Sequence, residues 1–274
     1  MKMPRLTDTT TLARNRARAK GATFLHEDVR DEVNERLTEV NRSFTNIAIV
    51  TGFPDFWRKT FPAATIVPDE EVLNLQPGAH DLVIHALALH WANDPVGQII
   101  QCKRALRPDG LFLGALFGGQ TLHELRACLA EAEAAVTGGL SPRVLPMGEI
   151  RDLGGLLQRA GFALPVADSF TRTVLYRDLW HLMHDLRAMG EGNALDARLR
   201  TATPRAVFTD AAQRYTHAYG VDDKIKASFE MVFLTGWAPH DSQQKPLRPG
   251  SAVQRLADAL NAPEIVLPQT KGDA

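Results

Sequence analysis

The sequence predicts an α/β fold, with a mostly parallel sheet and helices on both of its faces. Three observations lead there. Short, continuous apolar runs recur at 47–50, 81–86 and 111–117, as strands buried on both faces require. Amphipathic segments, with apolar residues three and four apart, lie between those runs. The alternation of the two continues through about residue 175, which is the order that a parallel sheet with crossover helices produces.

Each element has a local reason. Residues 24–41 read as a helix because Leu25, Val29, Val33, Leu37 and Val40 share one stripe with charge between them. The β-branched run 47–50 ends in Thr51-Gly52, a buried strand and its turn. Pro54 opens a brief helix to Phe61, and 64–67 is a short strand stopped by Pro68. After the strand beginning at Asp81, residues 95–106 are helical, and Arg107-Pro108-Asp109-Gly110 is a turn signal before the strand 111–117. Gly118-Gly119 ends that strand, and 121–135 is a helix with Leu122, Leu125, Leu129 and Ala132 on one face. A loop with Pro142 and Pro146 leads to the helix 149–160, which Gly161 caps in the left-handed conformation. The remainder reads as strand 163–174, helices 179–189 and 204–219, strand 229–237, a polar loop 241–250 and a final helix 251–260.

Composition narrows the function classes. The chain has 274 residues, 45% hydrophobic and 23% charged, enough for one large domain plus an insertion. With 31 basic and 32 acidic side chains, a global polyanion binder is excluded and no nucleic-acid partner is expected. Cys102 and Cys128 are the two cysteines, which make neither a disulfide framework nor a zinc site, so a reducing, cytoplasmic compartment is expected. No apolar run is long enough for a membrane span. The first twenty residues are arginine-rich and nearly free of acids, mildly like a transit peptide, and are expected to be a basic, partly loose start.

Several motifs in order carry a family resemblance. Thr51-Gly52 ends a strand; Asp69-Glu70-Glu71-Val72-Leu73 comes next; then come Asp81-Leu82-Val83-Ile84 and Leu106-Arg107-Pro108-Asp109-Gly110. This order resembles the class I S-adenosylmethionine-dependent methyltransferases. His90-Trp91-Ala92-Asn93-Asp94, Leu116-Phe117-Gly118-Gly119-Gln120-Thr121-Leu122, Glu124-Leu125-Arg126, Asp152-Leu153-Gly154, Arg159-Ala160-Gly161-Phe162, Gly236-Trp237 and Ser242-Gln243 tighten the match. They are similar to the methyltransferase-like assembly factors of respiratory complex I, which sit near the malonyl-carrier-protein methyltransferases of biotin synthesis. The resemblance spans roughly residues 20–255. It implies a Rossmann-like methyltransferase fold with an antiparallel last strand and a helical insertion. It also implies S-adenosylmethionine as cofactor and a protein substrate, in a subgroup thought to hydroxylate an arginine.

In such a fold, ligands sit at the carboxyl ends of the strands. The resemblance puts Thr51, Gly52, Asp69, Glu70, His85, Leu89 and Trp91 at the cofactor and makes His90 a general base. The family loop is glycine-rich, whereas this chain has Thr51-Gly52-Phe53-Pro54-Asp55 and no acid ending its first strand. The stretch from Gly52 to Asp69 is too short for the family's two strands and helix, so the sheet is expected to be one strand short. Asp69 is then either the ribose carboxylate or the adenine acid, and its distance from Asp81 favours adenine. A non-catalytic assembly or binding factor that has lost the cofactor is the alternative function. Asp69-Glu70 also reads as a solvated acidic turn, Asp81 as a turn cap, and His90-Trp91 as core packing. Glu124 and Arg126 read as a surface pair, and Arg143 as an anion-binding residue; Trp237, His240 and Lys245 either close the pocket or pack the tail. His181, His184 and Asp185 have helical metal-ligand spacing without a further ligand. The expected organisation is a basic segment and helix at 1–45, the core at 46–175, a helical cap at 176–225, and the last strand and tail at 226–274.

Overall fold

The computed structural model describes residues 5–244, Asp258 and Asn261. The chain divides into two units, Met1–His240 and Asp241–Ala274, and the sheet and its helices belong to the first. Lys245, the loop 245–250 and, but for Asp258, the helix expected at 251–260 lie outside the described residues.

The strands are β1 (Ile47–Thr51), β2 (Thr65–Val67), β3 (His80–Ala86), β4 (Leu106–Phe117), β5 (Ala163–Tyr176), β6 (Gly220–Val221) and β7 (Lys224–Trp237). They form one sheet in the order β2-β1-β3-β4-β7-β5, with β6 paired to β7. The pairs β1–β2, β1–β3 and β3–β4 are parallel, whereas β7 runs antiparallel to both β4 and β5. Among the described residues a single strand lies outside β1, the shortage expected from the spacing before Asp69.

The apolar runs are continuous because both sheet faces are covered. Ile49, Ile84 and Leu113 point into a core shared with helices α2 (Phe24–Glu39), α5 (His123–Thr137), α7 (Leu179–Ala188) and α8 (Arg205–Tyr219). Val50, Val83 and Phe112 point the other way, onto α4 (Pro95–Ala105) and α6 (Ile150–Ala160). Helix α2 buries Leu25, Val29 and Val33, the predicted stripe, and α6 ends at Gly161 with φ 77. The helix α3 (Pro54–Thr60) starts at its proline and buries Trp57.

The structure departs from the sequence reading in identifiable places. Residues 107–110 are not a free turn: β4 starts at Leu106, and the signal is spent on a kink with Asp109 at φ 62 and a register shift opposite His80 and Leu82. The arginine-rich start is not loose from Arg5 onward. It forms α1 (Thr9–Ala17), whose first turn is capped by the Asp8 carboxylate accepting from Thr11 N. Trp237 does not close a pocket at the ligand edge. Because β7 is antiparallel, Trp237 pairs with Leu111, at the amino end of β4, where Arg42 lies over its ring. Glu124 is not on the surface either: it is fully buried and accepts from Ser228 Oγ at 2.6 Å. Arg126 donates to the carbonyl of Thr121. Asp81 caps the turn before β1, accepting from Thr45 N and Asn46 N.

Ile84 is fully buried in the central strand β3, so Ile84→Ala leaves a cavity between sheet and helices. The expected cost is about 2–5 kcal/mol of unfolding free energy, measured by urea denaturation with an unchanged m-value.

Candidate functional site

The carboxyl ends of β1, β2 and β3 lie side by side, with Thr51 opposite Ala86 and Val50 opposite Val67. The segments leaving these three strands build the site. Thr51 is buried, and its Oγ1 accepts from Phe53 N, turning the chain into α3. After β2 come Pro68, Asp69 and Glu70. After β3, Leu87 takes a left-handed φ of 46 and donates to Ala115 O, and a 3-10 turn (Leu89–Trp91) brings Trp91 over the edge. A backbone held in that region marks a position that the surroundings over-determine.

Two cavities share this edge. The larger, of about 1230 Å³, is lined by Thr51, Gly52, Asp69, Glu70, Trp91 and, from α1, Arg16. The smaller, of about 240 Å³, lies beside Trp91 under the α7–α8 segment, with walls from Phe117, Leu125, Met183, Phe208 and Phe229. Glu191, in the loop after α7, is the carboxylate of its lining. Trp91 lines both.

Glu191 is fixed from two sides. The Trp91 indole N–H donates to its Oε2 at 2.7 Å, and His90 Nε2 lies 3.5 Å from the same oxygen. Burial by itself raises the Glu191 carboxyl, but His90, then Arg16 and the Trp91 indole together outweigh it and hold the group below the usual carboxylate range. His90 Nδ1 faces Phe117 N, so the Nε2 proton is the one directed at Glu191. The His90 side chain is 1% exposed, and it lines neither cavity.

The larger cleft has its own supports. Gln98, on the inward face of α4, donates to the carbonyls of Asp69 and Glu70 and accepts from His85 Nε2 at 2.8 Å. One amide thus shapes the acidic loop and sets the tautomer of a buried histidine. Burial keeps the His85 ring toward its neutral form. Arg16 Nη1 reaches Asp69 Oδ1 at 2.6 Å. Behind the β1 turn, His26 packs at tilted and edge-on angles against Phe53, Phe56 and Trp57.

The structure therefore brings Thr51, Gly52, Asp69, Glu70 and Trp91 together around one cleft. It does not bring His85, Leu89 or His90 to the cavity wall: all three are buried behind it. Sequence reasoning missed Arg16, Gln98, His26 and Glu191. Gln98 had a signal, a polar side chain beside Ile99 and Cys102 on the apolar face of its helix. Glu191 lies between glycines in a loop, where no periodicity marks it. Arg143 is committed elsewhere, bonded to Glu133, whose carboxyl it holds down to about 2. Asp185 accepts from the Tyr176 hydroxyl, and the described residues contain no group of three potential metal ligands.

A Rossmann-like sheet with an antiparallel last pair and a ligand cleft at its carboxyl edge defines a methyltransferase-like domain. The methyltransferase domain family matches residues 21–114. The chain belongs to the family of the arginine-hydroxylase NDUFAF5 proteins. It is 37% identical to the mitochondrial arginine-hydroxylase NDUFAF5 of Danio rerio over 241 residues, 87% of this chain and 72% of that protein. It is 41% identical to the Dictyostelium discoideum protein of the same name, over 69% of this chain and 44% of that protein. It is also 36% identical to the malonyl-[acyl-carrier protein] O-methyltransferase of Xylella fastidiosa, over 65% of this chain and 58% of that protein. The chain thus spans about half to three quarters of these relatives' lengths. A solved structure, the YcgJ protein of Bacillus subtilis, overlaps with a TM-score of 0.46 at 10% identity, over 74% of this chain and 95% of that one.

The residues present fit S-adenosylmethionine, the cofactor implied by the sequence resemblance. The cleft has ample volume, and Asp69 and Glu70 offer acceptors for hydroxyls and an amine. A buried guanidinium, Arg16, stands beside them with two nitrogens that have no hydrogen-bond partner among the described residues.

His26 supplies a pH test of this region. Burial, with Arg16 and His90 adding to it and Glu191 opposing it, lowers the ring to about 4 from 6.5. The folded state then binds fewer protons than the unfolded chain, so this contribution to stability is lost as pH falls from 6.5 toward 4. His26→Phe is expected to flatten that part of the stability–pH curve, by roughly 3 kcal/mol between neutral and acid limits, as read from denaturant midpoints across pH.

Proposed function

We propose that this chain binds S-adenosylmethionine in the larger cleft and presents a protein arginine to it from the smaller pocket, in the assembly of respiratory complex I. The observation that carries the reading is Glu191, a carboxylate held ionised beside apolar walls, one indole away from the cofactor cleft. Such a pocket suits a side chain with an apolar stem and a cationic head, because the walls take the methylenes and the carboxylate takes the charge. Arg143, on the same lining, is neutralised by Glu133. The names of the NDUFAF5 relatives, which specify arginine, direct the choice of guanidinium over ammonium.

The chain's own groups perform distinct tasks. Thr51 and Gly52 shape the strand end against which the cofactor would lie, and Asp69 and Glu70 would accept from its hydroxyls and amine. When bound, S-adenosylmethionine supplies an electrophilic sulfonium methyl. Trp91 separates the two cavities and keeps water from the space between them. Glu191 orients the guanidinium, which converts an encounter into an aligned pair. His90, buried behind Glu191, acts as a positioning residue that fixes the carboxylate.

The two buried free thiols, Cys102 and Cys128, support a reducing compartment, of which the cytoplasm is one; the NDUFAF5 relatives carry the word mitochondrial in their names. Among the described residues, no helix is long and apolar enough to cross a membrane.

The test is calorimetric titration with S-adenosylmethionine and S-adenosylhomocysteine, followed by mass spectrometry of arginine-containing peptides. Binding near micromolar is expected, weakened about tenfold or more by Asp69→Ala. Glu191→Gln is expected to keep cofactor affinity and to abolish the mass increase of a methyl group on arginine. No heat at millimolar ligand would sink the reading and leave the non-catalytic binding factor.

A further inference from the structure

The sheet ends on one side at β5, and that edge is open. β5 pairs with β7 from Ala163, opposite Trp237, to Tyr176, opposite Ile225, and no strand among the described residues pairs with its other side. It is 14 residues long, and an edge of that length presents a row of backbone donors and acceptors that templates further pairing. Natural edge strands are blunted by prolines, bulges and shortness. β5 uses such devices only at its start, where Pro165 lies within the register shift between Ala163 and Val166 and Leu164 takes a φ of 49. From Val166 onward the ladder is regular. Its side chains stay open to solvent there: Val166 is 54% and Leu175 48% exposed, and Ser169, Thr171, Arg172 and Thr173 between them are exposed too.

The order of side chains along this edge is self-complementary. Antiparallel pairing with a second copy, about a two-fold axis beside Phe170, sets Asp168 opposite Arg172 twice. The same register sets Ser169 opposite Thr171 and Val166 opposite Val174, so that charge, hydroxyl and apolar side chains each meet their own kind of partner. Moving the axis by one residue destroys the match, because Asp168 then meets Val174 or Phe170, and Arg172 meets Phe170 or Val166. Both charged side chains can take the new contact. Arg172 Nε lies 3.6 Å from Asp28 Oδ2, too far for a hydrogen bond, and its side chain is half exposed. Asp168 is held by Arg36 and is also partly exposed, and a carboxylate has lone pairs for a second guanidinium.

We infer that β5 is the contact surface of a homodimer, in which two copies pair their β5 strands antiparallel about Phe170 with Asp168 of each against Arg172 of the other. The pairing joins two sheets into one and removes the open edge from both copies. β4 and β7 stand between β3 and this edge, so both clefts at the ends of β1, β2 and β3 remain open, and the dimer forms whatever those clefts bind. A contact made by one strand from each copy falls at the small end of protein interfaces, so monomer and dimer exchange with concentration.

The experiment is sedimentation equilibrium of the full chain from about 1 to 500 µM, where wild type is expected to dimerise with a Kd of roughly 1–100 µM. Asp168→Arg leaves only basic charges on the strand, and Arg172→Asp leaves only acidic ones. Each variant alone is expected to self-associate at least about tenfold more weakly, and an equimolar mixture of the two is expected to recover a dimer. Thermal unfolding of each variant establishes that it is folded. If either is not, chains carrying Ser169→Cys mixed with chains carrying Thr171→Cys make the test: oxidation is expected to cross-link the mixture in preference to either alone, since Cys102 and Cys128 are buried. Wild type that stays monomeric at every concentration overturns the inference. So does a dimer that neither charge substitution weakens, a mixture of the two that fails to recover it, or cross-linking without preference for the mixed cysteine variants.

Discussion

One charged contact joins the start of the chain to the edge of its sheet. Arg16 and Asp69 meet at 2.6 Å, with side chains only 11% and 9% exposed. In a setting this dry, removing one partner leaves a buried charge behind, which is worse than never having had the pair. The surrounding structure is arranged around that fact. The Asp8 cap, the Asn93 amide clamp and the Asn15–Gly192 bond hold α1 where its arginine can reach. Gln98 holds the carbonyls of Asp69 and Glu70, and so the loop that presents the carboxylate.

A sheet that is one strand short makes that hold on α1 necessary. With β2 only three residues long at the edge, the sheet supplies little wall on that side of the cleft. The missing surface is replaced by side chains of α1 and α3, which are shorter-range and less cooperative than a hydrogen-bonded ladder. Aromatic packing of His26, Phe53, Phe56 and Trp57 braces that substitute wall. The cofactor loop has lost glycines, but bulk has returned as packing between α2 and α3.

Most of the fold was legible because burial on two faces writes itself into composition. Ile49 against Val50, and Ile84 against Val83, face opposite cores, so β1 and β3 read as unbroken apolar runs. Gly161 announced the end of α6 through its left-handed φ. Pro-Asp-Gly chemistry is local and marks the turn at Asp109, whereas the pairing of Leu106 with His80 of β3 is not local. Half of the site was legible in the same way: Thr51, Gly52, Asp69, Glu70 and Trp91 sit at strand ends that the sequence marks. Arg16 and Glu191 were not, because each gains its role from a partner far along the chain. Nothing in His90-Trp91 says which ring faces the cavity; the structure puts Trp91 at the wall and buries the His90 ring behind it.

Trp91 and Glu191 belong to one hydrogen bond and to the boundary of two cavities. Whatever settles in one cavity presses on a partition that the other also uses. A guest that moves the ring from either side would couple the two sites, and such coupling is reciprocal: any factor by which the first guest alters the affinity for the second operates equally in reverse. A shared wall of this kind lets a bimolecular encounter be ordered without a moving domain, since the free energy of fixing one indole ring has to be met once, by whichever guest arrives first.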